Sequence, residues 1–188
     1  MLFRSSQVEV VQADVADDLS EAMRGVDVAV FLVHSIGEGA DWVARERAIA
    51  ENFRRSAEAA GVRRIVYLGG LGDDRSDLSV HLRSRHDVGA VMAAGSVETV
   101  ELRAAVVIGA GSASFEMLRY LTEVLPVMVT PKWVETPCQP ISIRDVLRYL
   151  VAAIEAPGPL SGVLEIGGPD VVSYAEMMAI YEIGRAHV

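Results

Sequence analysis

This sequence predicts a parallel α/β fold with helices on both faces of the sheet, and three observations lead there. Val28-Ala29-Val30-Phe31-Leu32-Val33 is almost unbroken apolar sequence, the form taken by a strand covered on both sides. Arg64-Ile65-Val66-Tyr67-Leu68-Gly69-Gly70 is a second such run, and Thr99 to Ile108 is a third. The segments between them space their apolar residues at helical intervals, and strand, helix and strand in succession imply right-handed parallel crossovers.

Taken in order, Val8-Glu9-Val10-Val11 is a short β-rich run ending at Ala13-Asp14-Val15. Asp17-Asp18 then opens a helical segment through Leu19, Ala22 and Met23, which Gly25 stops. The run from Val28 to Val33 is expected to be a central parallel strand. From Asp41 to Ala60 the residues Trp42, Val43, Ile49, Phe53, Ala57 and Ala60 keep helical spacing, and Gly61 stands where a C-terminal cap belongs. A polar loop from Asp73 to Ser79 leads to a helix from Leu82 to Ala94, ended by Gly95. The strand from Thr99 to Ile108 is closed by Gly109-Ala110-Gly111. Beyond it come a helix from Ser114 to Val124, a Pro-containing stretch from Pro126 to Pro140, a helix from Arg144 to Ala153 and a short strand Val163-Leu164-Glu165-Ile166. No repeat or interdomain linker interrupts this order, so residues 1–181 read as one partial domain, with 112–181 its substrate-side part.

Composition narrows the function. The 188 residues are 51% hydrophobic and 23% charged, which suits a packed core rather than disorder. No apolar run reaches the roughly 20 residues that span a bilayer. Seventeen basic residues against 26 acidic ones leave a charge of −9, which argues against nucleic-acid binding, because that affinity rests on neutralising phosphates. Cys138 is the only cysteine, so neither an internal disulfide nor a cysteine metal cage is available, and a reducing, cytoplasmic setting fits. Sixteen of the 17 basic residues are arginine; Lys132 is the single lysine.

Four stretches carry a family resemblance. Residues Asn52 to Leu68, with Ala59-Ala60-Gly61-Val62-Arg63-Arg64-Ile65-Val66-Tyr67 at their centre, look like the fourth helix and fifth strand of extended short-chain dehydrogenase/reductases. Leu102-Arg103-Ala104-Ala105-Val106-Val107-Ile108-Gly109 resembles their Leu-Arg-Pro-x-x-Val-Tyr-Gly strand, with Ala104 and Ile108 replacing Pro and Tyr. Ile141-Ser142-Ile143-Arg144-Asp145-Val146 resembles their Ile-His-Val-x-Asp-Val element, and Ile166-Gly167-Gly168-Pro169 their late Asn-Ile-Gly-Gly turn. In this order the set most resembles the atypical, NmrA-like NAD(P)H-binding branch. The resemblance implies a Rossmann-like sheet binding NAD or NADP at the carboxyl ends of its strands. The implied cofactor-binding positions are Asp14, Val15, Leu32, Val33, His34, Ser35, Leu68, Gly69, Gly70, Arg85, Ala105 and Val106.

Two departures qualify it. No Gly-x-x-Gly-x-x-Gly occurs, so the turn that would set backbone N–H groups and a helix N-terminus against the pyrophosphate, with the first βαβ unit that carries it, is lacking. At the other end Glu182-Ile183-Gly184-Arg185-Ala186-His187-Val188 breaks the preceding amphipathic helix. It resembles a translated sequencing adapter, and 182–188 are read as a non-native tail. Both ends then read as those of a fragment, and loss of two strands would leave Val28–Val33 with an open apolar edge, an aggregation hazard. The second departure is catalytic: the family's Tyr-x-x-x-Lys would, with Lys132, need a tyrosine where Met128 stands. At the corresponding place is His81-Leu82-Arg83-Ser84-Arg85, whose His81 and Arg85 share a helical face at i, i+4. His81 is the candidate acid or base and Arg85 a candidate for holding ribose or phosphate; a solvated, arginine-rich helix start is the plainer reading.

Other residues carry paired readings. Asp14 contacts the adenine amino group if the resemblance holds, or simply makes a turn. His34 is a cofactor neighbour or a polar residue leaving a strand. Gly69-Gly70 lets a ligand approach the backbone, or turns the chain. Gly109-Ala110-Gly111-Ser112 lacks the Walker lysine and reads as cleft lining, and Asp145 as a helix-start residue. Phe115, Met117, Met128 and Trp133 are core packing or the walls of an apolar substrate pocket. No ligand set has metal-site spacing. A homodimer through the 41–60 helix is open, as is Trp42 and Phe53 facing the sheet instead. The function implied is an NAD(P)-dependent oxidoreductase on a small carbonyl or quinone-like substrate; the alternative is a non-catalytic NmrA-like dinucleotide-binding regulatory protein.

Overall fold

The computed structural model describes residues 8–33, 41–72, 78–124 and 132–186. In chain order these form β1 (Val28–Phe31), α1 (Trp42–Ala60), β2 (Arg64–Gly70), α2 (Val80–Ala93), β3 (Glu98–Ala104), β4 (Val107–Ile108) and α3 (Ala113–Val124). A 3₁₀ turn at Lys132–Glu135 precedes β5 (Pro137–Cys138), β6 (Ile141–Ser142), α4 (Ile143–Glu155), β7 (Gly162–Ile166), β8 (Val172–Ser173) and α5 (Tyr174–Ala186).

Alternation along β2 explains the layers. Ile65 and Tyr67 point to one face, where Phe53, Ala57, Val88 and Met92 of α1 and α2 cover them. Val66 points to the other, against Val146, Leu150 and Ala153 of α4. The sheet runs β1-β2-β3-β7, all parallel, with Val30 beside Val66, Tyr67 beside Glu101 and Leu102 beside Leu164. Phe53 packs edge-on against Phe31 at 4.8 Å; burying a ring of this size is worth about 2–3 kcal/mol. Phe53 therefore faces the sheet rather than a second subunit. α1 ends as its sequence predicts, with Gly61 left-handed at φ 72°, its own amide donating to the Glu58 carbonyl and the Val62 amide to that of Ala57. A third cluster, Val106, Leu118, Met177 and Met178, joins α3 to α5.

Several expectations are corrected. Val8 to Ala13 form no strand: Val8, Val10 and Val11 are 62%, 76% and 56% exposed, and no described strand pairs with them. Leu19 to Gly25 make turns rather than a helix, although Leu19 and Met23 still reach the core. The run 28–33 is not central. β1 stops at Phe31 and occupies the edge of the described sheet, leaving Leu32 and Val33 exposed. The expected strand 99–108 divides, because β3 pairs with β2 and β7 whereas β4 leaves to pair with β6. α5 continues through Glu182 to Ala186 instead of breaking there. The polar loop at 73–77 lies outside the described residues. No helix among the described residues is long and apolar enough to cross a membrane.

Two helices begin with reciprocal serine–carboxylate caps. Ser142 Oγ accepts from the Asp145 amide at 3.1 Å and donates to its carboxylate at 2.7 Å, giving Asp145 the helix-start role. Ser173 and Glu176 exchange the same pattern at α5. The Ser142 hydroxyl holds Asp145 below the ordinary Asp value of 3.8, and the Ser173 amide holds Glu176 below the ordinary Glu value of 4.5. The Ser96 amide acts likewise on Glu58, and Arg64 on Glu98. Carboxylates depressed on folding contribute stability that is present above their unfolded pKa and lost as pH falls through the folded one. The urea midpoint should therefore stay flat from neutrality to about pH 5 and fall below it; a midpoint unchanged down to pH 3 contradicts these caps.

Candidate functional site

Because the four sheet strands are parallel, their carboxyl ends open on one edge, which is where open α/β sheets bind ligands. Leu32 and Val33 leave β1 there with 53% and 39% exposure, an apolar surface at a strand end. Gly69 and Gly70 end β2, and the Leu71 amide carries the ladder one step further by donating to the Ala104 carbonyl at 2.9 Å. Half-buried Ala105 and buried Val106 follow β3, the Val106 carbonyl accepting from the Ile141 amide at 2.9 Å. Half-buried Leu68 packs toward α4. His34 and Ser35 lie outside the described residues.

The glycine pair is explained from inside the protein. A Cβ on Gly69 would stand 2.7 Å from Glu101 Oε1, and one on Gly70 2.8 Å from Leu82 Cδ2. Asp14 is exposed and makes a turn: its Oδ1 accepts from the Ala16 amide at 2.9 Å and its carbonyl from Asp17 at 3.0 Å. Helix α1 holds this loop, with Asn52 Nδ2 donating to the Val15 carbonyl at 3.0 Å and Ser56 Oγ accepting from the Leu19 amide at 3.0 Å.

His81 and Arg85 do share a face of α2, and that face packs on α1. The His81 ring lies 6.2 Å from Trp42, and one turn on, Arg85 Nη2 lies 3.8 Å from Glu46 Oε1. Ser84 adds a 2.5 Å donation to the second Glu46 oxygen. Glu46 and Arg85 are buried, whereas His81 is exposed. The two side chains thus form successive rungs between helices, with Arg85 neutralising a buried carboxylate rather than standing beside His81 in a cleft.

Sequence reading missed the polar layer beneath α2. Glu101 is 4% exposed and accepts from Arg103 Nε at 2.9 Å. The Tyr67 hydroxyl donates to the Arg85 carbonyl at 3.2 Å, and burial pushes its phenol up to about 12, so it holds its proton at neutrality. His86 Nε2–H donates to the Gly70 carbonyl at 3.0 Å, bracing the end of β2. The alternation Thr99-Val100-Glu101-Leu102-Arg103-Ala104 was the available signal. It resembles a half-exposed strand, yet its polar side is roofed by α2. Of the pocket candidates, Phe115 lines a cavity, Met117 is 47% exposed, Trp133 belongs to the 3₁₀ turn and Met128 lies outside the described residues. Among the described residues no cluster of His, Cys, Asp or Glu could hold a metal ion.

A nicotinamide dinucleotide fits part of this edge. Toward such a group the edge offers exposed apolar side chains at the end of β1 and the backbone at Gly69-Gly70. The sequence supplies no glycine-rich turn for the pyrophosphate. Fold and edge together define a Rossmann-type nucleotide-binding α/β protein. The chain belongs to the family described as NAD(P)H-binding, whose model matches residues 2–108, more than half of it. Curated proteins provide no match. Among solved structures, the Bordetella bronchiseptica enzyme WbmG in complex with NAD and UDP is 17% identical with a TM-score of 0.73, over 94% of this chain and 63% of that one. The NAD-dependent NDP-hexosamine 5,6-dehydratase TunA of tunicamycin biosynthesis is 16% identical, TM-score 0.77, over 99% and 70%. The UDP-glucuronic acid 4-epimerase from Bacillus cereus in complex with NAD is 18% identical, TM-score 0.75, over 95% and 65%. The chain thus spans less than two thirds of the length of two of these three. The likeness to these structures is one of fold, a Rossmann-like parallel sheet.

Proposed function

We propose that the whole protein is an atypical, NmrA-like NAD(P)H-dependent oxidoreductase acting on a small carbonyl or quinone-like substrate. The observation that carries this reading is the family match over residues 2–108, the stretch that builds the carboxyl edge of β1, β2 and β3. Bound there, the dinucleotide supplies a hydride. Leu32 and Val33 offer it apolar contact, Asp14 a carboxylate for an amino group, and Leu68 to Gly70 with Ala105 and Val106 the floor. In this reading His81, exposed at the start of α2, exchanges a proton with the substrate. Arg85 supports it by fixing α2 on α1 through Glu46.

One observation favours a second reading, a dinucleotide-binding regulatory protein without turnover: the His81–Arg85 face is turned to α1, and Tyr-x-x-x-Lys is absent. Titrating NADPH and NADH into this chain, and into a chimera with an upstream glycine-rich βαβ unit, tests the common ground. The chimera is expected to bind with micromolar affinity, and this chain far more weakly, because its sequence holds no glycine-rich turn for the pyrophosphate. No binding by either overturns both readings. A carbonyl and quinone panel on the binding-competent protein separates them: turnover lost in His81→Ala supports the oxidoreductase, and binding without turnover supports the regulator.

A further inference from the structure

A cavity of about 280 Å³ opens between α3 and α5; Val106 packs behind its inner wall, but the described residues that line it include none of those assigned above to the dinucleotide. It is near the lower end of small-molecule pockets, which run from about 300 Å³ upward. Its inner wall is apolar: Leu118 and Met177 are 2% and 8% exposed, with Ile108 beside them. Two rings form one side, Phe115 and Tyr181 meeting edge to face at 6.1 Å and 84°. The Tyr181 hydroxyl donates to Glu123 Oε1 at 2.8 Å, which fixes that ring against α3.

The polar feature of the lining is a carboxylate. Asp170 stands at the rim, exposed to solvent, and among the described residues that line the cavity none is basic. The turn that presents Asp170 is braced on both sides: the Gly168 amide donates to the Pro140 carbonyl at 2.9 Å, and Gln139 Nε2 donates to the Gly168 carbonyl at 2.7 Å. An apolar hollow with aromatic walls, a thioether and one rim carboxylate is complementary to a flat apolar body ending in a cation.

We infer that this cavity is a small-molecule site that takes a compact aromatic amine, its ring against Phe115, Tyr181 and Met177 and its ammonium at Asp170. Binding requires no dinucleotide, so it stands or falls independently of the activity proposed above. The test is calorimetric titration of the full chain, without cofactor, with three probes that share a ring and differ at one end: 2-phenylethylamine, 2-phenylethanol and 3-phenylpropionate. The amine should bind about fivefold more tightly than the alcohol, the scale of one partly exposed ion pair, and the carboxylate most weakly. Asp170→Asn, a surface change, should bring the amine level with the alcohol. Ile180→Trp, at a rim position 61% exposed, should weaken all three by crowding the mouth. The inference is overturned if none of the probes saturates, if the carboxylate binds as well as the amine, or if Asp170→Asn leaves the order unchanged.

Discussion

Replacing Arg64 with alanine is expected to lower the unfolding free energy by about 2–4 kcal/mol, the cost of removing a fully buried side chain that makes several charge-assisted hydrogen bonds. Arg64 opens β2 and is completely buried. Its Nε pairs with Glu98, the residue beside it in β3. Its Nη1 donates to the Ala153 and Ala156 carbonyls at 2.8 and 3.1 Å, and its Nη2 to the Gly158 carbonyl at 2.6 Å. These carbonyls belong to the end of α4 and the turn beyond it, where a helix leaves its last acceptors without intrahelical donors and carries its negative pole. One guanidinium therefore ties two strands to the helix on the other face. Alanine would leave the buried Ala153 carbonyl without its donor and remove the shared anchor of the part-buried Ala156 and Gly158 carbonyls. Arg64→Lys should recover only part of the loss, because an ammonium lacks the planar fork that serves three carbonyls and a carboxylate at once. Urea unfolding followed by circular dichroism is the measurement. A loss below about 1 kcal/mol would show that water or neighbouring groups replace the fork.

In the sequence Arg64 is half of an ordinary basic pair, Arg63-Arg64, and nothing local distinguishes the buried partner from the exposed one. That contrast marks what could be read in advance. The β2 run, α1 with its Gly61 cap and the helical spacing of 113–124 and 143–155 were legible, because each depends on neighbours a few residues away. The failures depend on distant partners. Val8 to Val11 has β composition but no described strand beside it, whereas the edge position of β1 agrees with the open edge expected for Val28–Val33. The strand expected from 99 to 108 divides because β6, 34 residues later, captures β4. The site follows the same rule. That Leu32, Val33, Gly69, Gly70, Ala105 and Val106 share one edge follows from parallel strands. That Arg85 turns to Glu46, which is 39 positions upstream, does not follow from any spacing within α2.

Gly89→Ala is the second large effect, expected to cost about 2–3 kcal/mol despite the gain of up to about 1 kcal/mol that alanine brings to a helix interior. Gly89 lies where α2 crosses β3, and a Cβ there would stand 2.2 Å from Glu101 Oε2 and 2.5 Å from its carboxyl carbon. That carboxylate is tethered by Arg103 Nε at 2.9 Å, and the only room beside it is the side left open by the missing Cβ of Gly69, where an added Cβ would stand 2.7 Å from Glu101 Oε1. Gly158→Ala supplies the control, as nothing lies within 4 Å of its Cβ position, and it should change stability by no more than about 0.5 kcal/mol. The cause is isolated by a double-mutant cycle. Glu101→Ala removes the obstacle while taking a carboxylate from Arg103, so the double variant should be more stable than the sum of the two losses implies, by more than about 1 kcal/mol. Additivity would mean that Glu101 is not what the new methyl meets. Gly89→Ala also bears on the proposed cofactor edge: Glu101 can yield only toward Gly69, so the displacement reaches the end of β2. In a binding-competent protein the same substitution should therefore weaken NADPH as well as the fold, whereas Gly158→Ala should alter neither.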